Sequence, residues 1–308
     1  MDIGWGWASS SAFSASSSEL VQLLSDAPPG ILATAILWGV IGLLVGSFLN
    51  VVIHRLPIMM QRDTDNFIAA ERDEPLPHTR TYNLVVPRSA CASCGHTLSA
   101  AENIPLFSWL WLRGRCRHCG ASVSARYPLV EALTALLSGW VAWRLGGGFE
   151  GIAALVLVWS LVAMAFIDID TQLLPDDLTL PLVWLGLLVN LAGGFVSLQE
   201  AVIGAAAGYL TLWGVYWLYR VVAGKEGIGY GDFKLLAALG AWLGWTMLPL
   251  IVLLSSLLGA VVGIALIVMR RHQRGVPIPF GPFLAIAGLV ALLYGQAIIN
   301  AWLGRMAS

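Results

Sequence analysis

Charge is what this sequence has least of. Its 308 residues include 17 Lys and Arg and 18 Asp and Glu, 11% in all, where soluble domains carry roughly a quarter. With 58% of residues hydrophobic and a mean hydropathy of +0.78, the chain cannot have water as its main solvent. Cysteine is scarce too. The four cysteines all fall between residues 91 and 119, which excludes a disulfide framework spread along the chain. A net charge of -1 lacks the basic surface that nucleic-acid binding needs, so no nucleic-acid partner is expected. No Lys or Arg precedes the first apolar run, which argues against a cleaved signal peptide. The Ser-rich first thirty residues, ending in Pro28-Pro29-Gly30, read instead as a weakly ordered tail with a short interfacial helix near Leu20 to Leu24. A Gly-x-Gly-x-x-Gly turn after a strand is also missing, which excludes a standard dinucleotide-type site.

What is abundant is apolar sequence in long runs. Crossing about 30 Å of hydrocarbon takes roughly 20 residues of helix. Runs of that order fall near 31–54, 128–145, 151–168, 178–198, 201–222, 233–245, 247–269 and 280–303. The fold class expected is therefore an all-α polytopic membrane protein with about eight transmembrane helices. The stretch 233–269 is too long for one upright helix, and Gly244 beside Trp245 is where it should divide. That division governs topology. With eight spans, the nine arginines between Arg55 and Arg126 share one side with Arg220, Lys225, Lys234, Arg270, Arg271 and Arg274, leaving Arg144 and Arg305 opposite. The positive-inside rule makes the richer side cytoplasmic. The domains expected are a non-cytoplasmic tail at 1–30, a first transmembrane helix at 31–54, a cytoplasmic segment at 55–127 and a seven-helix membrane domain at 128–303. Gly204 and Gly208 point to close helix packing on the fifth span.

The 55–127 segment is too small and too broken by proline and polar residues to hold a large core. It carries Cys91-x-x-Cys94 and Cys116-x-x-Cys119, two pairs separated by 21 residues, each followed by a glycine, Gly95 and Gly120. Such spacing wraps two turns around one tetrahedral ion, and glycine permits the positive φ those turns require. Four thiolates fill the coordination sphere, so the expected zinc is structural. Two disulfides are the rival, disfavoured in a cytoplasmic segment. His96 and His118 read as turn residues.

Carboxylates at the ends of apolar runs carry the sharper signal. Asp168 and Asp170 close the third span, and Asp232 opens the sixth within Gly229-Tyr230-Gly231-Asp232. Ionisable groups at membrane depth are expensive and usually line a path or a reaction centre. Two adjacent carboxylates tend to share one proton, which suits activation of water against a peptide carbonyl. Asp232 reads equally well as a helix cap, and Asp176 and Asp177 read as caps. Residues two apart on a helix face different ways, so one of Asp168 and Asp170 is aimed at Asp232, and spacing does not say which. The same aspartates would also suit an ion or proton transporter. A zinc-bearing assembly factor whose acids only cap helices is a third reading.

Taken together the motifs resemble the prepilin peptidases, or type IV leader peptidases, membrane aspartyl proteases with a GxGD motif. The resemblance starts at Gly46-Ser47-Phe48-Leu49-Asn50 and His54-Arg55-Leu56-Pro57. It continues through Arg88-Ser89, the two CxxC pairs, Asn103-Ile104-Pro105, Ser108-Trp109, Arg113-Gly114, Arg126-Tyr127-Pro128 and Glu131. It ends with Asp168, Leu174-Pro175-Asp176, Gly229-Tyr230-Gly231-Asp232 and Pro279-Phe280-Gly281-Pro282-Phe283. It implies that Asp168 and Asp232 are the catalytic pair. It further implies prepilin and pseudopilin substrates cut after a glycine, and a bacterial inner membrane with the active site at its cytoplasmic face. The four-cysteine segment is typical of members that also methylate the new N-terminus with S-adenosylmethionine. Ala92 departs from the proline many members place there. Asn103, Arg113, Arg126 and Glu131 are candidates for the methyl-donor site, or more simply for holding the cytoplasmic segment to the membrane. No residue pattern sets an oligomeric state.

Overall fold

Among the described residues, eight long helices follow one another in the order the apolar runs predict. A computed structural model describes residues 29–224, 229–269 and 278–306; the helix expected near Leu20 to Leu24, and Lys225, Arg270, Arg271 and Arg274, lie outside the described residues. The helices are α1 (Pro29–Glu71), α2 (Arg126–Leu145), α3 (Phe149–Thr171), α4 (Asp176–Leu191), α5 (Leu198–Ala223), α6 (Tyr230–Leu243), α7 (Leu248–Val268) and α8 (Gly281–Met306). Five helical stretches, 30–71, 149–171, 198–223, 245–268 and 281–302, are long and apolar enough to cross a membrane, so the chain is a multi-pass membrane protein. The other three explain why eight crossings do not follow from length. At about 1.5 Å per residue, the 16 residues of α4 and 14 of α6 fall short of about 30 Å. α2 carries Arg126, Glu131 and Arg144 within its 20 residues.

The first helix does not end at residue 54. It runs 43 residues with Pro57 inside it. A proline disfavours helix in the residue before it and removes one backbone donor, which is why the sequence marks a boundary there. Packing overrides that preference: Leu56 is buried and Met60 packs on the cluster of Leu49, Val52, Ile53, Val130 and Ile167. The helix ends where Asp73 takes a positive φ of 54°.

Elsewhere the breaks follow local chemistry. Ser197 and Glu200 form a reciprocal capping box at the start of α5. Gly244, at φ 79°, separates α6 from α7 at the expected position. Helix α6 is the centre of the bundle, with every residue from Leu235 to Leu243 buried. An apolar surface all round is what lets a helix be enclosed on every side. It packs most closely on α5, where Gly204 and Gly240 bring the two backbones together and Gly208 lies against Leu236. The expected close packing at Gly204 and Gly208 is therefore contact between α5 and α6.

Buried Asn190 ties three elements. Its amide nitrogen donates to the carbonyls of Ala241 and Trp242 at 2.8 and 3.1 Å. Its oxygen accepts from the backbone N–H groups of Phe195 and Val196 at 2.8 and 3.0 Å. All four capacities of a carboxamide are thus used where water is excluded.

Candidate active site

The last turn of α3, the first turn of α6 and the first turn of α8 meet at one end of the bundle. Met164, Phe233 and Leu284, each close in sequence to this junction, belong to a single core and hold the three ends together. Asp168 projects from α3 and Asp232 from α6; they are 5% and 7% exposed, and the charge of one acts on the other. Asp168 Oδ2 accepts a hydrogen bond from the backbone N–H of Gly281 at 2.8 Å. A Cβ added at Gly281 would lie 2.7 Å from that oxygen, so glycine is what lets α8 begin this close to the carboxylate. Asp232 Oδ1 is buried with no hydrogen-bond partner among the described residues. An unpaired buried acceptor costs about 1–3 kcal/mol.

The geometry separates the acids that spacing left equivalent. Asp170 points to the rim, where its Oδ1 pairs with Arg126 Nη1 at 2.5 Å. Asp176 does not cap α4, whose N-cap is Pro175; it accepts from Lys234 Nζ at 2.5 and 2.7 Å. Asp177 makes no cap bond either. Asp232 is the third residue of α6, its N-cap is Gly229, and no side-chain cap bond forms. Asp232 is thus not the N-cap residue itself, although it lies in the first turn of α6. A Cβ at Gly231 would meet Leu174 Cβ at 2.6 Å, so this glycine admits the α3–α4 connection against α6. Sequence reasoning missed the Gly281 donor, since a backbone N–H leaves no side-chain signature and its flanking prolines were the sole signal.

The residues weighed for a methyl-donor role divide. Glu131 Oε2 accepts from the Leu106 N–H at 2.8 Å, and Arg126 also donates to the Phe166 carbonyl at 3.3 Å. Glu131 therefore holds the connecting segment to α2, and Arg126 ties the start of α2 to the end of α3. Asn103 ends a single 3-10 turn, and Arg113 takes a positive φ of 51° in the turn before Gly114.

The four cysteines form a second centre. Each pair sits in a tight turn closed by paired backbone bonds, Cys91 N–H to His96 O and Cys116 N–H to Ala121 O, at 2.9 and 2.8 Å. Gly95 and Gly120 carry positive φ of 71° and 73°, as expected. The four Sγ atoms lie within 4.8 Å of one another. Cys91 and Cys119 are 3.8 Å apart, too far for a disulfide and close to the edge of a tetrahedron with metal–sulfur bonds of about 2.3 Å. The backbone N–H groups of Cys94 and Ser93 hold the Cys91 thiol down to about 6. Four sulfurs this close need a cation to lose their protons together, so the donor set fits a metal ion. His96 and His118 stack on each other at 5.1 Å, outside the sulfur group.

Comparison with known proteins bears on both centres. Residues 40–145 match the bacterial peptidase A24 N-terminal domain and residues 155–264 match the type IV leader peptidase family. The cysteine turns fall in the first match and both aspartates in the second. A relative from Aeromonas salmonicida is 60% identical over 268 residues, 86% of this chain and 92% of its own. One from Aeromonas hydrophila is 62% identical over 263 residues, 85% and 91% of the two chains. A third, from Pseudomonas aeruginosa, is 55% identical over 288 residues, 92% and 97%. All three are named prepilin leader peptidase/N-methyltransferase. No solved structure matches the chain. With nearly the whole of such relatives matched at this identity, the chain belongs to the type IV leader peptidase family.

Proposed function

We propose that this chain cleaves type IV prepilins and pseudopilins after a glycine, using Asp168 and Asp232, and then N-methylates the new N-terminal residue. The observation that carries the reading is the pair of buried carboxylates brought together from α3 and α6, one oxygen of which has no donor. Two such groups share a proton. The ionised carboxylate takes a proton from water as the oxygen attacks the peptide carbonyl. The protonated carboxyl donates to the carbonyl oxygen, and a proton then passes to the departing amine. The Gly281 N–H fixes Asp168, while Asp232 Oδ1 is left to receive a hydrogen bond from water or substrate.

The positive-inside rule, applied to the basic residues, supports placing this end of the bundle at the cytoplasmic face, and the bacterial relatives support an inner membrane. A basic leader retained in the cytoplasm brings its junction with the following apolar helix to that face. The transporter reading is not supported: the carboxylates lie at one end of the bundle, and the relatives are named as peptidases. Cys91, Cys94, Cys116 and Cys119 hold a structural zinc, with no coordination position left open for catalysis. S-adenosylmethionine, when bound, supplies the methyl group. An open polar groove between α1 and residues 78–82 is lined by Arg62, Asp63, Asn66 and Arg80.

The test is incubation of the purified chain with a prepilin in detergent, followed by mass spectrometry of the mature N-terminus. The product should begin directly after the leader glycine and gain one methyl only when S-adenosylmethionine is present. Absence of cleavage, or cleavage elsewhere, overturns the reading.

A further inference from the structure

The segment 104–117 presents its apolar side outward. Ile104, Phe107, Leu110 and Trp111 are 49%, 67%, 60% and 88% exposed. Phe107, Leu110 and Trp111 stand three and four apart on the short helix Phe107–Trp111, so they share one face. The opposite side is committed inward. Trp109 donates from Nε1 to the Val123 carbonyl at 3.0 Å, and its ring lies against Gly114, where a Cβ would come within 2.9 Å. The outward set is therefore fixed by the fold and is not a loose loop turned by chance.

Its depth is set by α1 and α2. These helices run antiparallel, with Asn50 donating to the Tyr127 carbonyl, Gly46 against Glu131 and Gly42 against Ser138. Glu131 is thus level with Gly46, which lies eight residues inside the apolar run 31–54, about 12 Å along the helix. The Leu106 N–H is bonded to Glu131 at 2.8 Å, so the short helix begins at the depth of that run. Directly after it come Arg113, Arg115 and Arg117, all exposed.

We propose that residues 104–117 form an interfacial anchor, with Phe107, Leu110 and Trp111 seated in the acyl boundary of the membrane and the three arginines on anionic lipid headgroups. Apolar and aromatic residues on one helical face with basic residues beside them are the composition of a segment lying in the membrane plane. Juxtamembrane arginines are drawn to anionic lipid. The anchor holds the two cysteine turns, one ahead of it and one beginning within it at Cys116, against the same membrane face as Asp168 and Asp232. It rests on the membrane placement of α1 and α2 and not on the peptidase chemistry.

The test uses the full chain in lipid nanodiscs with the photo-reactive residue p-benzoylphenylalanine in place of Trp111, or in place of Glu74 as the control beyond the end of α1. Illumination should give lipid adducts at position 111, at least tenfold more than at position 74, with yield rising when phosphatidylglycerol replaces phosphatidylcholine. Equal adducts at both positions, or cross-links from position 111 to polypeptide instead of lipid, would overturn it; the latter would assign the face to a second copy or another protein. In the same nanodiscs, wild type should resist trypsin at Arg113, Arg115 and Arg117. The triple variant Phe107→Ser, Leu110→Ser, Trp111→Ser should be cut about tenfold faster there, with α3 to α8 still protected. Equal rates would also count against the anchor.

Discussion

A carboxylate placed beside a second carboxylate, both shielded from water, is unfavourable for folding, so the residues that tolerate it show what the site is for. Asp168 has a donor in the Gly281 N–H, and Asp232 keeps one oxygen unpartnered among the described residues. Replacing Gly281 with alanine would place a Cβ 2.7 Å from Asp168 Oδ2 and 3.2 Å from its Cγ. Misplacement of a reacting group by about 1 Å costs roughly 100-fold in rate. Gly281→Ala should therefore lower kcat for prepilin cleavage about 10- to 100-fold with KM little changed; wild-type kcat would show that α8 does not position the acid. At this scale the sequence was half legible. Residue types and motif order pointed to the acids, but Asp168 and Asp170 became distinguishable from contacts only once Arg126 was seen to take Asp170. The partner of Asp168 is a backbone group 113 residues away, which no local pattern reports.

Helices with strong apolar runs announced themselves, and their order was readable because each is bounded by glycine, proline or a cap. Lengths were less readable. Burial of Leu56 and packing of Met60 carry α1 through Pro57, and such tertiary support has no local signature. The shortness of α6 has a physical reason: it is enclosed by protein on all sides and has no need to match the bilayer. Asn190, which sequence reasoning did not single out, fastens the end of α6 to the α4–α5 connection. Asn190→Ala leaves two carbonyls and two N–H groups unpaired and should destabilise the bundle by about 2–4 kcal/mol. The check is a thermal melt in detergent, where an unchanged midpoint would refute the role given to this residue.

At the scale of the molecule, the four-cysteine segment and the helical bundle are held by different forces. Between residues 88 and 125 the structure buries Pro105, Gly114 and Cys116 and little else, so a metal held by the four thiolates, as proposed, would supply what an apolar core does not. Chelation of the metal should make this segment protease-sensitive while α3 to α8 stay protected, a readout independent of activity. Equal protection with and without chelator would remove the metal from the account. The spacing of the cysteines made this centre legible from sequence alone, because ligand geometry is set within each short turn.

The central claim, that Asp168 and Asp232 act as one catalytic unit, is tested most directly by cleavage of a purified prepilin by wild type, Asp168→Asn and Asp232→Asn in detergent. Asparagine keeps the shape of the side chain and abolishes the shared proton. Each variant should remain folded by its thermal melt and lose cleavage by at least about 10³-fold, with the double variant no worse than either single one, as for residues that act together. Cleavage near the wild-type rate by either variant would contradict the account.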